Sequence, residues 1–417
     1  MKKLGIYVQV PFCQTKCTYC NFHTGVVASS RFAPYVEAVC REIRGHRELL
    51  GAAGVGLTAN GLQGLKPVEG LRETPELKLR PPKEKDPFKE EILANTVYIG
   101  GGTPSLLDPA HLQSLLDAIR DTFTSDLAEV TLEADPETVE AGKAEAWVRA
   151  GIKRVSFGLQ SFSDKELAAA GRMHRRADIY RAVPILRSTG IRNISFDLIA
   201  GLPHQTKESW KESLEELQAL SPEHVSVYLL EVDEGSRLGK ELLKGGARYS
   251  AAAVPSDDEM ADFYEMAQES LKAAGYHHYE ISNWAKPGFE SKHNLKYWRR
   301  EPYFGFGAGA HSFSGTERWA NAHDAADYVN GVESGRLPIE QHEVLTAERA
   351  LEEELFLGLR QLDGIDVGQI ERAYGVSLAK KIEPLKASGF LERDGNVLKL
   401  ATDRLAVSNE AFVALME

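Results

Sequence analysis

The feature that most constrains this chain is a group of three cysteines near its start. Cys13, Cys17 and Cys20 are three of its four cysteines, and they follow a strand-like run at residues 5–10. A short loop with several thiols at fixed spacing is typical of a metal centre. Three thiolates can hold an iron–sulfur cluster and leave one iron open to a ligand that is not a side chain. A structural zinc site with His23 as fourth ligand is the alternative.

Beyond residue 90 the sequence alternates between strand-like and helix-like segments. This alternation predicts parallel β/α units joined by right-handed crossovers. Residues 151–157 resemble residues 190–196, at an offset of 39 residues (190 − 151), which indicates a repeated unit. We therefore predict an α/β fold with a partial (β/α)6 barrel of the TIM type, and a doubly wound sheet is the alternative. The predicted strands are residues 5–10, 96–99, 130–133, 154–159, 193–199 and 224–229.

Changes in the pattern divide the chain into three predicted regions. The barrel occupies residues 1–235, and a flexible insertion rich in Gly, Pro, Lys and Glu interrupts it at 51–90. Residues 236–340 extend the barrel and connect it to the last region. Residues 341–417 combine helices with a hairpin that turns after Asp394, which is typical of a winged-helix-like α+β domain.

Polar residues lie at the ends of several predicted strands. In TIM-type barrels the C-terminal ends of the strands carry the functional site. A Gly-rich turn at residues 100–104 follows the second strand, and its backbone N–H groups can bind a carboxylate, although a tight βα turn is the alternative. Each polar residue alone is as readily structural, but together they predict a pocket for a ligand with an ammonium, a carboxylate and a ribose. These residues are Glu133, Gln160, Arg172, Asp197, Tyr228 and Glu231.

Residues 276–314 are rich in histidine, large aromatic residues and glycine. This composition suits a flat aromatic ligand that carries an axially bound metal. An aromatic core with hydrogen-bonded histidines is the alternative. The stretch contains the run His293-Asn294-Leu-Lys-Tyr297-Trp298.

Charge and cysteine usage indicate the cellular setting. The net charge of −12 at pH 7 argues against a nucleic-acid partner and against a polybasic membrane anchor. Three clustered cysteines suit a reducing cytoplasm, and Cys40 falls on the apolar face of a helix predicted at 31–50, where we expect a core thiol. We expect a cytoplasmic protein, with the inner face of the cell membrane as a second location and a homodimer as one possible assembly.

With these motifs in place, the chain resembles the radical SAM superfamily, and within it the oxygen-independent coproporphyrinogen III oxidase-like group. The resemblance covers nearly all of the chain except residues 51–90. It implies that Cys13, Cys17 and Cys20 hold a [4Fe–4S] cluster whose open iron is chelated by S-adenosylmethionine. It also implies that S-adenosylmethionine is surrounded by Tyr7, Phe22, Gly101, Gly102, Thr103, Glu133, Gln160, Arg172 and Asp197.

Two branches of this group differ in one position of the loop. The decarboxylating oxidases have a fourth cysteine two positions after the third, and an N-terminal arm before the first strand. Here Phe22 occupies that position and the strand begins at about Gly5. Both departures favour the haem-chaperone branch, whose signature is matched by His293, Asn294, Tyr297 and Trp298.

Membership of the haem-chaperone branch implies that the chain binds haem and delivers it to haem-requiring membrane or respiratory enzymes. It also implies that the four signature residues take part in haem binding. Oxidative decarboxylation of coproporphyrinogen III by a 5′-deoxyadenosyl radical is the alternative function. Whether the chain is an enzyme stays open at this point.

Overall fold

The computed structural model describes residues 2–53 and 92–416, so the predicted insertion at 51–90 lies outside the described residues except for its first three. Six parallel strands form the centre of a 12-stranded sheet and follow one another in chain order. A doubly wound sheet reverses its strand order at a switch point. The uninterrupted order therefore confirms the predicted partial barrel. The strands are β1 (Lys2–Val10), β2 (Ile92–Gly101), β3 (Ser125–Ala134), β4 (Arg154–Gln160), β5 (Asn193–Ala200) and β6 (His224–Leu229).

Helices connect these strands and pack on the outer face of the sheet. The Asp108 side chain caps one of them by accepting a hydrogen bond from the Ala110 N–H at 2.8 Å. Another ends at Gly151, whose φ of 106° is favourable for glycine. Cys40 is buried in the core, as predicted. The helices are α1 (Phe32–Ala52), α2 (Pro109–Thr122), α3 (Ala141–Ala150), α4 (Asp164–Ala170), α5 (Arg176–Ser188) and α6 (Lys207–Leu220).

The two faces of the barrel strands differ in chemistry. In β4, Val155, Phe157 and Leu159 are buried in the core that the outer helices share. The alternate residues, such as Arg154 and Ser156, line an interior cavity. Most TIM barrels fill their interior with Val, Ile and Leu. Here the sequence alternation leaves the interior polar, which makes it suitable for a polar ligand.

The sequence repeat corresponds to two neighbouring units of the barrel. Arg154 on β4 pairs with Asn193 on β5, and Phe157 pairs with Phe196. Each pair is separated by the same 39 residues as the repeated segments (193 − 154). The predicted repeat is therefore confirmed as two adjacent strands in register.

The region after β6 extends the sheet at both edges. Beyond β6 lie two antiparallel strands, β8 and then β7, and on the other side β9 pairs in parallel with β1. The strands are β7 (His277–Glu280), β8 (Asn283–Ala285), β9 (Tyr303–Phe306), β10 (His311–Phe313), β11 (Glu317–Asn321) and β12 (Ile339–Val344). The helices are α7 (Arg237–Leu243), α8 (Asp257–Ala273), α9 (Lys292–Trp298) and α10 (Ala325–Glu333).

The last region is a small α+β unit with a three-stranded antiparallel sheet in the order β13-β15-β14. Its helices and terminal hairpin confirm the predicted winged-helix-like arrangement. Across all described segments, none of the helices is both long and apolar enough to cross a bilayer. The elements are α11 (Ala347–Gly358), β13 (Ile365–Asp366), α12 (Val367–Tyr374), α13 (Ala379–Ala387), β14 (Leu391–Asp394), β15 (Val397–Leu400) and α14 (Ser408–Met416).

Candidate functional site

A cavity of about 500 Å³ lies at the C-terminal ends of the barrel strands. Its size is within the range of roughly 300–1,000 Å³ that is common for small-molecule sites. Phe22, Met173 and Tyr228 line it and are also exposed, so they mark its mouth. The cavity brings together most of the predicted site residues: Cys13, Cys17, Cys20, Phe22, Gly101, Gly102, Thr103, Glu133, Gln160, Arg172, Asp197 and Asn294.

The cysteine loop (residues 11–25) is anchored by backbone hydrogen bonds. The Cys13 N–H donates to the Gly25 carbonyl at 3.0 Å, which closes the loop on itself. The Thr18 N–H donates to the Ala170 carbonyl at 3.0 Å, and the Thr18 carbonyl accepts from the Leu238 N–H at 2.8 Å. These bonds tie the loop to two helices. All three thiols are only half-buried, so they face the cavity from a fixed backbone.

The three thiols fit an iron–sulfur cluster better than a zinc ion. A zinc ion holds its sulfur ligands at about 2.3 Å, so all ligands surround one point. Among the described residues, no three His, Cys, Asp or Glu side chains are placed to bind a single metal ion. Each thiolate of a [4Fe–4S] cluster binds a different iron, which requires a wider spacing. Cys13, Cys17 and Cys20 would hold such a cluster, which would supply one-electron chemistry to bound S-adenosylmethionine.

The Gly-rich turn after β2 is attached directly to the cysteine loop. The Gly102 N–H donates to the Val10 carbonyl at 2.8 Å, and the Thr103 N–H donates to the Phe12 carbonyl at 2.7 Å. Gly101 has a φ of 111°, which favours glycine. A Cβ on Gly102 would lie 2.4 Å from the Phe12 carbonyl oxygen. Glycine at this position therefore allows the turn to approach the loop of the three thiols.

Glu133 lies at the end of β3 and holds the turn from the cavity side. Its Oε1 accepts from the Tyr98 hydroxyl and its Oε2 from the Gly101 N–H, both at 2.9 Å. Burial raises the pKa of Glu133 to about 7, although both hydrogen bonds favour the carboxylate. A cationic ligand group in the cavity would therefore find a carboxyl group that ionises near neutral pH.

Gln160 and Arg172 converge over Gly158. A Cβ on Gly158 would lie 3.0 Å from the Gln160 Nε2 and 3.4 Å from the Arg172 Nη2. Gln160 has a φ of 69°, an uncommon conformation that is found more often at functional sites. The Arg172 guanidinium donates to the Gly158 carbonyl at 2.7 Å and to the Asp135 carboxylate, and it lies 3.5 Å from the Cys17 Sγ. Arg172 thus links the cysteine loop to the barrel wall.

Asp197 lies on the neighbouring strand β5, where its backbone pairs with Gly158 of β4. The Ser156 hydroxyl donates to its Oδ2 at 3.3 Å. Burial raises the pKa of Asp197, while the hydrogen bond from Ser226 and the charge of Arg154 oppose this rise. An acceptor at this position could bind ribose hydroxyls, and that role remains a prediction.

Arg154 is a cavity residue that the sequence interpretation missed. Its side chain is 2% exposed, and its Nε and Nη1 have no hydrogen-bond partner among the described residues. The missed signal was the alternation in β4, which places Arg154 on the same face as Ser156 and Gln160. Other cavity residues from distant parts of the chain are Tyr98, Asp135, Arg360, Leu405, Ala406, Ser408 and Asn409.

Tyr7 is the one predicted S-adenosylmethionine residue that lies behind the cavity wall. Its ring stacks on Tyr98 with centroids 6.0 Å apart, and Tyr98 lines the cavity. The Tyr7 hydroxyl donates to the Gln9 Oε1 at 2.7 Å. Tyr7 therefore supports the wall in this structure, and a direct contact with the cofactor remains a prediction.

The His293 motif lies on α9, beneath the barrel interior. Glu129 accepts from the backbone N–H groups of Lys292 at 3.0 Å and His293 at 2.9 Å. The His293 ring is 1% exposed; its Nδ1 bonds the Thr96 hydroxyl and its Nε2 the Tyr297 hydroxyl, both at 2.9 Å. Burial lowers the pKa of His293 to about 3. Both ring nitrogens are thus engaged within the protein.

The remaining signature residues are divided between the cavity and the protein interior. Asn294 lines the cavity. Trp298 lies under the guanidinium of Arg360, whose Cζ is 4.5 Å from the ring centroid. Tyr297 packs edge-to-face on Tyr303, with centroids 4.7 Å apart. Only Asn294 of the four faces the cavity, and a haem-binding role of the motif remains a prediction.

Comparison with known proteins places this chain in a family. The model of the Radical SAM superfamily matches residues 7–217, and that of the HemN C-terminal domain matches residues 345–404. The heme chaperone HemW of Bacillus subtilis is 32% identical over 98% of both chains. HemW of Synechocystis sp. is 34% identical, over 92% of this chain and 84% of the relative.

A solved structure shows the same fold. Coproporphyrinogen III oxidase (HemN) from Escherichia coli, a radical SAM enzyme, superposes with a TM-score of 0.79 over 99% of this chain and 90% of its own, at 20% identity. Membership of the superfamily implies a [4Fe–4S] cluster and S-adenosylmethionine as cofactors, in agreement with the sequence prediction and with the thiols of the cavity. The chain belongs to the HemW family of the radical SAM superfamily.

Proposed function

We propose that this protein is a haem chaperone, which binds haem and delivers it to haem-requiring proteins while a cluster and S-adenosylmethionine occupy its cavity. The observation that carries the proposal is the relation to proteins named heme chaperones along nearly the whole chain. The cavity supports it, because thiols, a Gly-rich turn and buried carboxyl groups meet there. The exposed Phe22 at the mouth supports it further, since an apolar side chain stands where the decarboxylases have a thiol.

Haem titration of the anaerobically reconstituted full chain tests this function. We expect one haem per chain, followed by transfer of that haem to an apo-form of a haem protein, measured by absorbance of the acceptor. A Cys17→Ala variant, in which the cluster lacks one of its thiolates, separates haem binding from cluster-dependent delivery. A reconstituted wild type that takes up no haem contradicts the proposal.

The alternative function is oxidative decarboxylation of coproporphyrinogen III. It would use the same cavity, so the structure of the site alone does not separate the two functions. Anaerobic incubation of the reduced, reconstituted protein with coproporphyrinogen III and S-adenosylmethionine decides between them. Formation of protoporphyrinogen IX supports the enzyme, and its absence despite an intact cluster supports the chaperone.

The acceptors and the assembly are part of the same proposal. We propose acceptors among respiratory and other membrane-bound haem proteins, a cytoplasmic location, and peripheral contact with the inner face of the membrane during delivery. A homodimer is the proposed assembly, and light scattering of the holoprotein with and without haem tests it. Co-sedimentation with membranes that contain or lack an apo-acceptor tests the peripheral contact.

A further inference from the structure

Three histidines from distant parts of the chain meet beside the mouth of the cavity. His23 follows Phe22 on the cysteine loop, and its ring stacks on that of His323 with centroids 3.9 Å apart. His311, at the start of β10, is close enough that the charges of His323 and His23 act on it. We call His23, His311 and His323 the histidine cluster. The functions described above use none of these imidazoles.

The cluster adjoins an exposed apolar surface on the cysteine loop. Phe22, Val26 and Val27 are 65%, 60% and 41% exposed, although all three are large and apolar. Single exposed apolar residues are normal, but a group of them beside potential ligands indicates a binding surface. The Lys16 Nζ donates to the Phe22 carbonyl at 3.3 Å, which places a cation beside this surface. An imidazole can bind the iron of a haem, the apolar surface can contact its porphyrin ring, and the cation can pair with its propionates.

The arrangement distinguishes haem from a bare metal ion. Within residues 2–53 and 92–416, no group of three His, Cys, Asp or Glu side chains can hold a metal ion. A haem iron already has four porphyrin nitrogens, so it needs only one or two axial ligands from the protein. The Nδ1 of His323 is buried and has no hydrogen-bond partner among the described residues. The cluster therefore contains one imidazole nitrogen without a partner among the described residues, in addition to the exposed imidazole of His23.

We propose that the histidine cluster and the adjoining surface of Phe22, Val26 and Val27 form the haem-binding site, with His23 as the axial ligand. This inference rests on the proposed haem-chaperone function and adds the location of its cargo. His23 is chosen because it is exposed and adjoins Phe22 directly, whereas His323 lies behind it. His293 is less suitable as an axial ligand, because its ring is buried and both of its ring nitrogens are hydrogen-bonded within the protein.

Haem binding by single-histidine variants of the reconstituted full chain tests the site. We expect His23→Ala to weaken haem affinity at least tenfold and to change the Soret absorption. Added imidazole should restore the wild-type spectrum, because it replaces the missing ligand, and a merely structural role would not respond in this way. His23→Met should shift the spectrum to that of a thioether ligand. Iron and sulfide content, together with thermal unfolding, shows that the cluster and fold are intact.

The matched control is His277→Ala, which removes an exposed histidine on β7 that lies 3.9 Å from Glu290. We expect its haem affinity and spectrum to equal those of the wild type. The site assignment is overturned if His23→Ala keeps both the wild-type affinity and the wild-type spectrum. A wild type that binds no haem rejects the haem-chaperone function instead, so the two failures are distinguishable.

Discussion

At the scale of single residues, Glu133 is a cavity group whose ionisation changes near neutral pH. It accepts hydrogen bonds from Tyr98 and Gly101, yet burial raises its pKa to about 7. The carboxylate form is needed to bind an ammonium group. Below pH 7 a ligand must therefore displace a proton from Glu133, whereas above pH 7 it does not.

We predict that the affinity for S-adenosylmethionine rises about tenfold between pH 6 and pH 8, the factor expected for one carboxyl group that titrates near pH 7. Calorimetric titration of the cluster-loaded protein measures this dependence. In Glu133→Gln the affinity should be weaker and no longer change with pH through this group. If the affinity for S-adenosylmethionine changes equally with pH in the variant and in the wild type, a group other than Glu133 causes the pH dependence.

How far the sequence predicts the site also depends on single residues. Their positions at or near strand ends identified Glu133, Gln160 and Asp197, and all three line the cavity. Arg154 lies at the start of its strand, where a charged residue is usually solvated, so this rule did not identify it. The burial of His293 depends on Thr96, 197 residues earlier in the chain. The spacing of the motif does not reveal such a contact, because it does not say which element faces the helix.

At the scale of structural elements, the site depends on the contact between the turn after β2 and the cysteine loop. Gly102 and Thr103 donate to carbonyls of residues 10 and 12. These bonds connect two barrel strands at the point where the thiols begin. A side chain at residue 102 would meet backbone atoms of Phe12, which cannot move without moving the loop.

We predict that Gly102→Ala destabilises the fold by about 1–3 kcal/mol, the usual cost of overpacking, and lowers the iron content after reconstitution. Gly142→Ala is the matched control, since a Cβ at this helical position has no atom within 4 Å. We expect the control to show no loss of stability or iron. Thermal unfolding and iron analysis of both variants measure the effects; full iron content in Gly102→Ala would contradict the argument.

The fold itself was more predictable from sequence than the site. The six strands, the repeat and the terminal hairpin follow from local periodicity and turn residues, and local signals survive in any tertiary arrangement. Four residues of the C-terminal unit also line the cavity: Leu405, Ala406, Ser408 and Asn409. Their position depends on how two regions dock, which local patterns do not encode.

At the scale of the whole molecule, Glu42 joins the first helix to the extension of the sheet. Its carboxylate accepts from the Gly307 N–H at 2.9 Å, from the Asn321 Nδ2 at 2.8 Å and from the Tyr328 hydroxyl. Burial raises the pKa of Glu42 to about 7, although these hydrogen bonds oppose the rise. The folded state therefore binds a proton at pH values where the unfolded chain has released it.

We predict that Glu42 makes the folded state more stable at pH 5 than at pH 8, by about 3 kcal/mol at 1.36 kcal/mol per pKa unit. The pKa of Glu42 is higher in the folded state than in the unfolded chain. The folded state therefore loses stability as the pH rises from the pKa of the unfolded chain to about 7. Urea unfolding of the wild type and of Glu42→Gln at both pH values isolates this contribution. The prediction fails if the difference between the two proteins is the same at pH 5 and pH 8.

The closure of the barrel by α9 has a consequence for the order of events. Glu129 holds the start of this helix, and the polar layer above it, including Thr96 and Arg154, is buried. Within the part of the chain that the structure describes, the cavity therefore opens on the side of the cysteine loop, where we expect its ligands to enter. Haem bound at the proposed site would lie in front of S-adenosylmethionine, so cofactor exchange should wait until the cargo has left. Stopped-flow release of S-adenosylmethionine, with and without haem, measures this dependence.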